Sequence, residues 1–88
     1  MKIYDFNGKK NLSGQRIKLI RQQMSLSQSD LAAKLQLEGV IIERDSISRI
    51  EIGTRFVADY ELLTIAKVLE VSPCYLVGLT DNPRAIIK

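Results

Sequence analysis

Closely spaced signals for the starts and ends of helices constrain this chain more than any other feature of its sequence. The clearest signal lies at Ser27, which can act as an N-cap, with Asp30 at the third helical position to complete a capping box. Leu26 and Leu31 flank this pair at the spacing of a hydrophobic staple. A helix is therefore predicted to begin here, with Leu31 and Leu35 on its apolar side.

Four further segments carry similar signals. Ser13, Asp59 and Ser72 are the predicted N-caps. Pro73 suits the first position of the last helix, and Gly53 can end the third helix in a left-handed conformation. The predicted spans are Ser13 to Met24, Arg44 to Ile52, Asp59 to near Glu70, and Ser72 to near Gly78. The predicted buried side of the fourth helix contains Leu62, Leu63, Ile65, Ala66 and Leu69. Because no alternating series predicts strands, the expected fold is all-α, a compact five-helix bundle.

The composition leaves little material for catalysis. There is no histidine and one cysteine, so the chain lacks a disulfide framework and the usual ligands of a metal site. We therefore expect no metal, no cofactor and no enzymatic activity. No apolar run approaches the roughly 20 residues of a membrane span, and no secretory signal is visible, so a cytoplasmic location is expected. Cys74 is expected to be a small buried residue, and Tyr75 to be half-buried.

The positive charge is concentrated in the first part of the chain. The net charge is +3, and residues 1–25 carry six Lys or Arg against one acidic residue. Residues 26–70 carry five basic residues against eight acidic ones. This distribution fits attraction to nucleic-acid phosphates, but an unevenly charged surface would look the same. The cations that could supply such attraction are Lys9, Lys10, Arg16 and Lys18.

Three stretches of the chain carry motifs in a definite order. Residues 21–32 read RQQMSLSQSDLA and residues 47–55 read ISRIEIGTR. The stretch that follows carries Leu62, Ile65, Ala66, Leu69, Val71, Ser72 and Leu76. From about residue 13 to residue 79 the chain resembles the Cro/phage-repressor (Xre-type) helix-turn-helix family. The resemblance implies a bundle of the lambda-repressor-like type that binds double-stranded DNA and regulates transcription. It also implies three parts: an N-terminal extension (1–12), a DNA-binding domain (13–79) and a C-terminal tail (80–88).

The third predicted helix has the composition of a helix that reads bases. Ile47 and Ile50 would face the core, so the polar residues would lie outward. Arginine can bond both O6 and N7 of guanine, and serine can reach a base edge or a phosphate. The predicted base-reading residues are Arg44, Asp45, Ser46, Ser48 and Arg49. A charged helix face in contact with solvent alone remains an alternative interpretation.

The resemblance implies roles outside that helix as well. It places phosphate contacts at Gln28, Thr54 and Arg55, and the positive end of the second helix would assist Gln28. It also pairs Arg21 with Glu51 in a structural ion pair. The planar guanidinium can bond both carboxylate oxygens, so this pair would hold the first helix against the recognition helix.

The connection between the second and third helices departs from the family pattern. Residues 36–43 make it about five residues longer than the tight turn that the resemblance implies. The connection includes the apolar run Gly39-Val40-Ile41-Ile42. Two interpretations stay open: either the second helix is extended, or the connection folds back and buries Val40 or Ile42.

The expected partners follow from these motifs. The favoured function is a transcriptional regulator, in particular a repressor, that binds operator DNA as a weak homodimer without membrane or metal. Its dimer contact is expected on the C-terminal side, where Leu79 and residues 85–87 are apolar, with Leu19 as a further candidate. The alternative is a helix-turn-helix antitoxin or adaptor that acts mainly through protein contacts. Such a protein would tolerate charge reversal across residues 44–55.

Overall fold

The computed structural model describes residues 6–84, which form five helices with short connections. The helices are α1 (Gly14–Gln23), α2 (Gln28–Leu37), α3 (Arg44–Ile52), α4 (Asp59–Leu69) and α5 (Pro73–Leu76). The all-α prediction is confirmed, since this part of the chain forms no strand beyond one isolated bridge between Phe6 and Lys9. None of the helices between residues 6 and 84 has the length and apolar character needed to cross a membrane.

A single hydrophobic core holds the bundle together. Every helix contributes to it, and α1 and α2 both pack against α3. The side chains that are almost completely buried are Ile17, Leu31, Leu35, Ile47, Ile50, Ile65, Leu69 and Leu76. Because Ile47 and Ile50 are both buried, the remaining side of α3 is left for polar residues.

The predicted start of α2 and the predicted bounds of α3 are confirmed. The backbone N–H of Asp30 donates to Ser27 Oγ at 2.9 Å, and the N–H of Ser27 donates to the Asp30 carboxylate at 2.9 Å. The hydrogen bond from the Ser27 backbone lowers the pKa of Asp30, which stays charged at the positive end of α2. At the other boundary Gly53 has φ 97°, a left-handed conformation that glycine adopts without steric cost.

The start of α1 differs from the prediction. Ser13 occupies the N-cap position, but its hydroxyl accepts no capping hydrogen bond. Instead, Asn11 Oδ1 accepts hydrogen bonds from the backbone N–H groups of Ser13, at 3.1 Å, and Gly14, at 2.8 Å. The capping side chain therefore stands two residues earlier in the chain than predicted.

The fourth helix also differs in two respects. Asp59 is its first residue rather than its N-cap, and Ala58 occupies the cap position. The backbone N–H of Ala58 is bound by the carboxylate of Glu61 at 2.9 Å, so the capping group comes from inside the helix. Leu63, which was predicted to be buried, is 59% exposed, whereas Ile65 and Leu69 are buried as predicted.

The last helix begins as predicted, with Ser72 as N-cap and Pro73 at the first position. Ser72 Oγ accepts a hydrogen bond from the backbone N–H of Cys74 at 3.1 Å. Two predictions about burial are wrong. Cys74, predicted to be buried, is only partly buried, and Tyr75, predicted to be half-buried, is buried in the core.

The long connection between α2 and α3 folds back on the core. Helix α2 ends at Leu37, so it is not extended through the connection. Ile42 is 3% exposed and Val40 is partly buried against the core, while Ile41 between them is 68% exposed. Of the two interpretations, the folded-back connection is the one observed.

The segments on either side of the five helices also bond to the bundle. Asn7 and Gly8 form the turn of a small hairpin, in which Phe6 and Lys9 exchange two backbone hydrogen bonds. At the other end, the N–H of Ser72 donates to the carbonyl of Pro83 at 2.7 Å. The apolar residues Ile3, Tyr4, Ile86 and Ile87 lie outside the described residues.

Candidate nucleic-acid interface

The outward side of α3 carries the five residues predicted to read bases. Arg44, Asp45 and Arg49 are exposed, and Ser46 and Ser48 are partly exposed. Arg44 Nη2 lies 2.8 Å from the Asp45 carboxylate, and Arg49 Nη2 lies 3.3 Å from Ser46 Oγ. These contacts are between neighbours on a wet surface, where an ion pair contributes little energy. The side chains of α3 are therefore available to a partner.

Beneath this surface, Arg21 and Glu51 join α1 to α3. Arg21 Nε lies 2.6 Å from Glu51 Oε2, and Arg21 Nη2 lies 2.9 Å from Glu51 Oε1. The side chains are 9% and 2% exposed, respectively. Arg21 Nη1 also donates to the carbonyl of Leu26 at 2.7 Å, at the entrance to α2. The hydrogen bonds that Arg21 donates to Glu51 raise the pKa of Arg21 despite its burial, so a charged arginine connects α1, α3 and the entrance to α2.

Gln28, a predicted phosphate contact, also reaches the same carboxylate. Its Nε2 donates to Glu51 Oε1 at 3.1 Å, while its side chain remains partly exposed at the N-terminus of α2. Glu51 Oε1 thus accepts from both Gln28 and Arg21. Glu51 therefore connects Gln28 at the start of α2 with Arg21 on α1.

Arg55, another predicted phosphate contact, is bound within the protein. Its Nη1 and Nη2 lie 3.0 and 3.1 Å from the two carboxylate oxygens of Glu61. Burial raises the pKa of Glu61, but the hydrogen bonds from Arg55 and from the Ala58 N–H outweigh it and leave the pKa below its ordinary value. The hydrogen bond to Glu61 likewise raises the pKa of Arg55. The neighbouring Thr54 is exposed, with its hydroxyl 3.4 Å from the carbonyl of Arg49.

The basic residues near the N-terminus are engaged to different degrees. Arg16 stacks on the Tyr75 ring and donates to the carbonyls of Tyr75 and Thr80 and to the carboxylate of Asp81. Lys9 Nζ donates to the carbonyl of Ile52 at the end of α3. Arg16 thus fastens the C-terminal segment to α1. Lys18, by contrast, is exposed.

Asn11 is a positioning residue that the sequence reasoning missed. Its Nδ2 donates to the carbonyls of Ile50 and Arg55, at 3.0 and 2.9 Å, while its Oδ1 caps α1. A signal was available, since asparagine is a good helix cap and stands just before the predicted first helix. Its bonds to residues 39 and 44 positions away carry no local signal.

The described residues offer no alternative site for metal chemistry. Between residues 6 and 84, no group of three Cys, Asp or Glu side chains is placed to hold a metal ion. The candidate functional side chains lie on the outward side of α3, at the N-terminus of α2 and at residues 54–55.

Comparisons with known proteins agree on one type of domain. A family described as helix-turn-helix matches residues 17–76. Among solved structures, the P22 c2 repressor protein in complex with synthetic operator 9T, determined in the presence of Tl+, has a similar fold. The TM-score is 0.66 and the sequence identity is 26%, covering 77% of this chain and 96% of that chain. No curated protein sequence matches the chain.

Proposed function

Because the chain belongs to the helix-turn-helix family of the Cro/C1 type, we propose that it is a transcriptional repressor that binds double-stranded operator DNA. The observation that carries the proposal is the polar outward side of α3, held against α1 by the buried Arg21–Glu51 pair. A helix of this width fits the major groove, where each base pair presents a distinct pattern of donors and acceptors. The proposed location is the cytoplasm, together with the DNA.

In this proposal the side chains of α3 read bases. Arg49 and Arg44 would bond O6 and N7 of guanine, and Asp45 would accept a hydrogen bond from N4 of cytosine. Ser46 and Ser48 are shorter and partly buried, so they reach only the groups closest to the helix. The exposed arginines would therefore contribute most to sequence preference.

Phosphate contacts would fix the orientation of α3 without reading sequence. Gln28 lies at the N-terminus of α2, where free N–H groups and the helix dipole favour an anion. Thr54 and Arg55 follow α3. Arg55 uses three of its five N–H groups on Glu61 and Phe56, so two remain for a phosphate oxygen while the pair stays intact.

Selection of binding sites from random duplex DNA tests the proposal. We expect a short consensus with two-fold symmetry and an affinity that falls as salt concentration rises. An antitoxin or adaptor that acts through protein contacts would instead enrich no sequence and tolerate charge reversal across residues 44–55. That result would contradict the proposed function.

Substitution of Arg49 tests the assigned base contact. Arg49→Ala should cost about 1–3 kcal/mol of binding free energy on the consensus and relax the preference at one position in each half-site. Lys18→Ala removes an exposed charge from α1 and should leave every base preference unchanged. If Arg49→Ala weakened all sequences equally, Arg49 would be a phosphate contact rather than a base contact.

A further inference from the structure

The connection between α2 and α3 holds one apolar side chain in solvent. Ile41 is 68% exposed, although the residue after it, Ile42, is 3% exposed and the residue before it, Val40, is partly buried. The two neighbours attach the connection to the core, and the N–H of Val40 donates to the carbonyl of Leu35 at 3.0 Å. The position of Ile41 is therefore fixed from both sides even though its side chain has no core to fill.

This side chain lies beside the start of α3. Ile41 lines an open groove together with Glu43 and Arg44, opposite the face of α2 that carries Ala32 and Ala33. Three residues of chain span at most about 10 Å, so Ile41 is within that distance of Arg44 along the backbone. Base pairs are stacked about 3.4 Å apart, so this reach corresponds to about three steps of duplex DNA.

We propose that Ile41 contacts the 5-methyl group of a thymine in the operator and so determines one position of its sequence. The inference rests on the proposed function, because it requires the start of α3 to enter the major groove. The thymine methyl is the apolar group that base pairs present in that groove, and aliphatic side chains recognise it by contact. Contact with the methyl removes apolar surface of both groups from water.

The chemistry of the neighbouring residues supports an apolar role for this position. Glu43, Arg44 and Asp45 are all exposed and charged, so Ile41 interrupts a polar surface. Isoleucine is branched at Cβ and has few side-chain conformations, so little conformational freedom is lost when it binds. The longer connection thus adds a recognition element that a tight turn could not present.

Removing the methyl group from DNA tests the contact directly. In the operator obtained by selection, each thymine is replaced in turn by deoxyuridine, which lacks only the 5-methyl group. Affinity is then measured for the wild type, for Ile41→Ala and for Leu37→Ala. Leu37 is 86% exposed at the end of α2 and lines a different groove, with Lys34 and Val68, which makes it a matched control.

The wild type and Leu37→Ala should lose affinity by about fourfold at one thymine per half-site, the effect of about one buried methyl group. Ile41→Ala should bind the thymine and uracil operators equally well at that position and keep the wild-type response elsewhere. The proposal is overturned if no thymine is sensitive to the replacement, or if Ile41→Ala shows the same sensitivity as the wild type. Either result leaves operator binding intact, whereas the absence of any selected operator would overturn the proposed function itself.

Discussion

At Gly14 the backbone of α1 comes close to the backbone of α3. A Cβ atom at this position would clash with the carbonyl oxygen of Ile50, a backbone atom of α3. The same carbonyl accepts a hydrogen bond from Asn11, so it has little freedom to move away. The absence of a side chain at Gly14 therefore allows α1 and α3 to lie this close together.

Replacing Gly14 by alanine should destabilise the protein even though alanine is the better helix former. Helix propensity alone would favour alanine by about 1 kcal/mol. The clash with Ile50 opposes this, because α1 or α3 must shift to accept the Cβ, and overpacking of this kind costs about 1–3 kcal/mol. We expect a lower free energy of unfolding for Gly14→Ala, measured by urea denaturation.

The adjacent exposed residue supplies the control for this substitution. Gln15→Ala changes an exposed residue of α1 and should alter stability by no more than about 0.5 kcal/mol. A Gly14→Ala variant that is as stable as the wild type would show that α1 and α3 can separate freely. The close contact would then have no part in positioning α3.

At the scale of the elements, the buried ion pair between Arg21 of α1 and Glu51 of α3 holds these two helices together. The charges are almost completely removed from water, so the cost of desolvation offsets much of their attraction. The loss of one partner is a different matter, because the other is left charged and unpaired. Glu51→Ala should lower the free energy of unfolding by on the order of 3 kcal/mol.

A double-mutant cycle separates the pair's role from that of its individual charges. Arg21→Met combined with Glu51→Leu should recover much of the lost stability, since both charges are gone and apolar volume is kept. The exposed pair of Arg44 and Asp45 is the matched control and should show coupling below about 1 kcal/mol. Coupling near zero for Arg21 and Glu51 would reject an energetic role for their contact.

The link between α3 and α4 depends on the charge of Glu61. Hydrogen bonds from Arg55 and the Ala58 N–H hold the pKa of Glu61 below its ordinary value despite burial. A carboxyl whose pKa is lowered by folding stabilises the folded state above its unfolded pKa. That contribution is lost as the pH falls through the folded pKa. The wild type should therefore lose stability below about pH 4, the ordinary range of a glutamate.

The variant Glu61→Ala isolates this contribution. At neutral pH it should be less stable than the wild type by about 1–2 kcal/mol, because Arg55 and the Ala58 N–H lose their acceptor while Arg55 can still reach water. The difference between the two proteins should shrink as the pH falls below 4, as followed by thermal unfolding. A difference that stayed constant with pH would mean that Glu61 acts only through packing.

Which elements could be predicted depended on where their determining contacts lie. Signals within one turn of chain, such as Ser27 with Asp30 and Gly53 after Ile52, predicted the start of α2 and the bounds of α3. The bonds that Arg16 and the Asn11 Nδ2 group donate join residues 39 to 65 positions apart, and no local pattern encodes them.

What the sequence could predict of the candidate site also depended on whether the determining contacts are local. The side of α3 that faces outward could be predicted, because the spacing of Ile47 and Ile50 determines which side is buried. The pairing of Arg55 with Glu61 could not be predicted, because it depends on where α4 begins. The sequence placed the N-cap of α4 at Asp59, whereas the structure has it at Ala58. Leu63 was likewise assigned to the buried side of α4 on its apolar character alone, which does not determine burial.

At the scale of the whole molecule, one domain of this size would contact only a few base pairs of the proposed operator. Its dimensions are 38 × 31 × 22 Å, and half-sites on DNA are separated by one helical turn, about 34–36 Å. In the proposed function, each half-site would be occupied by one such domain, on one face of the duplex. This geometry favours a homodimer on a two-fold symmetric site.

We expect the dimer contact on the C-terminal side of the domain, at Leu79. This leucine is 78% exposed just after α5, and its position is fixed because Arg16 binds the carbonyl of Thr80 and the carboxylate of Asp81. A weak dimer that strengthens on DNA is the expected form. Leu79→Asp would place a charge in the contact without disturbing the core.

The stoichiometry on DNA measures this prediction. Sedimentation of the wild type at saturating concentration should show two domains on each selected site, with cooperative binding. Leu79→Asp should weaken the second binding step, whereas Leu63→Asp, at a 59% exposed position on α4, should bind as the wild type does. One domain per site would contradict dimeric recognition, and unchanged cooperativity in Leu79→Asp would place the dimer contact elsewhere. Loss of cooperativity in Leu63→Asp would instead locate the dimer contact on α4, because Leu63 lies on that helix.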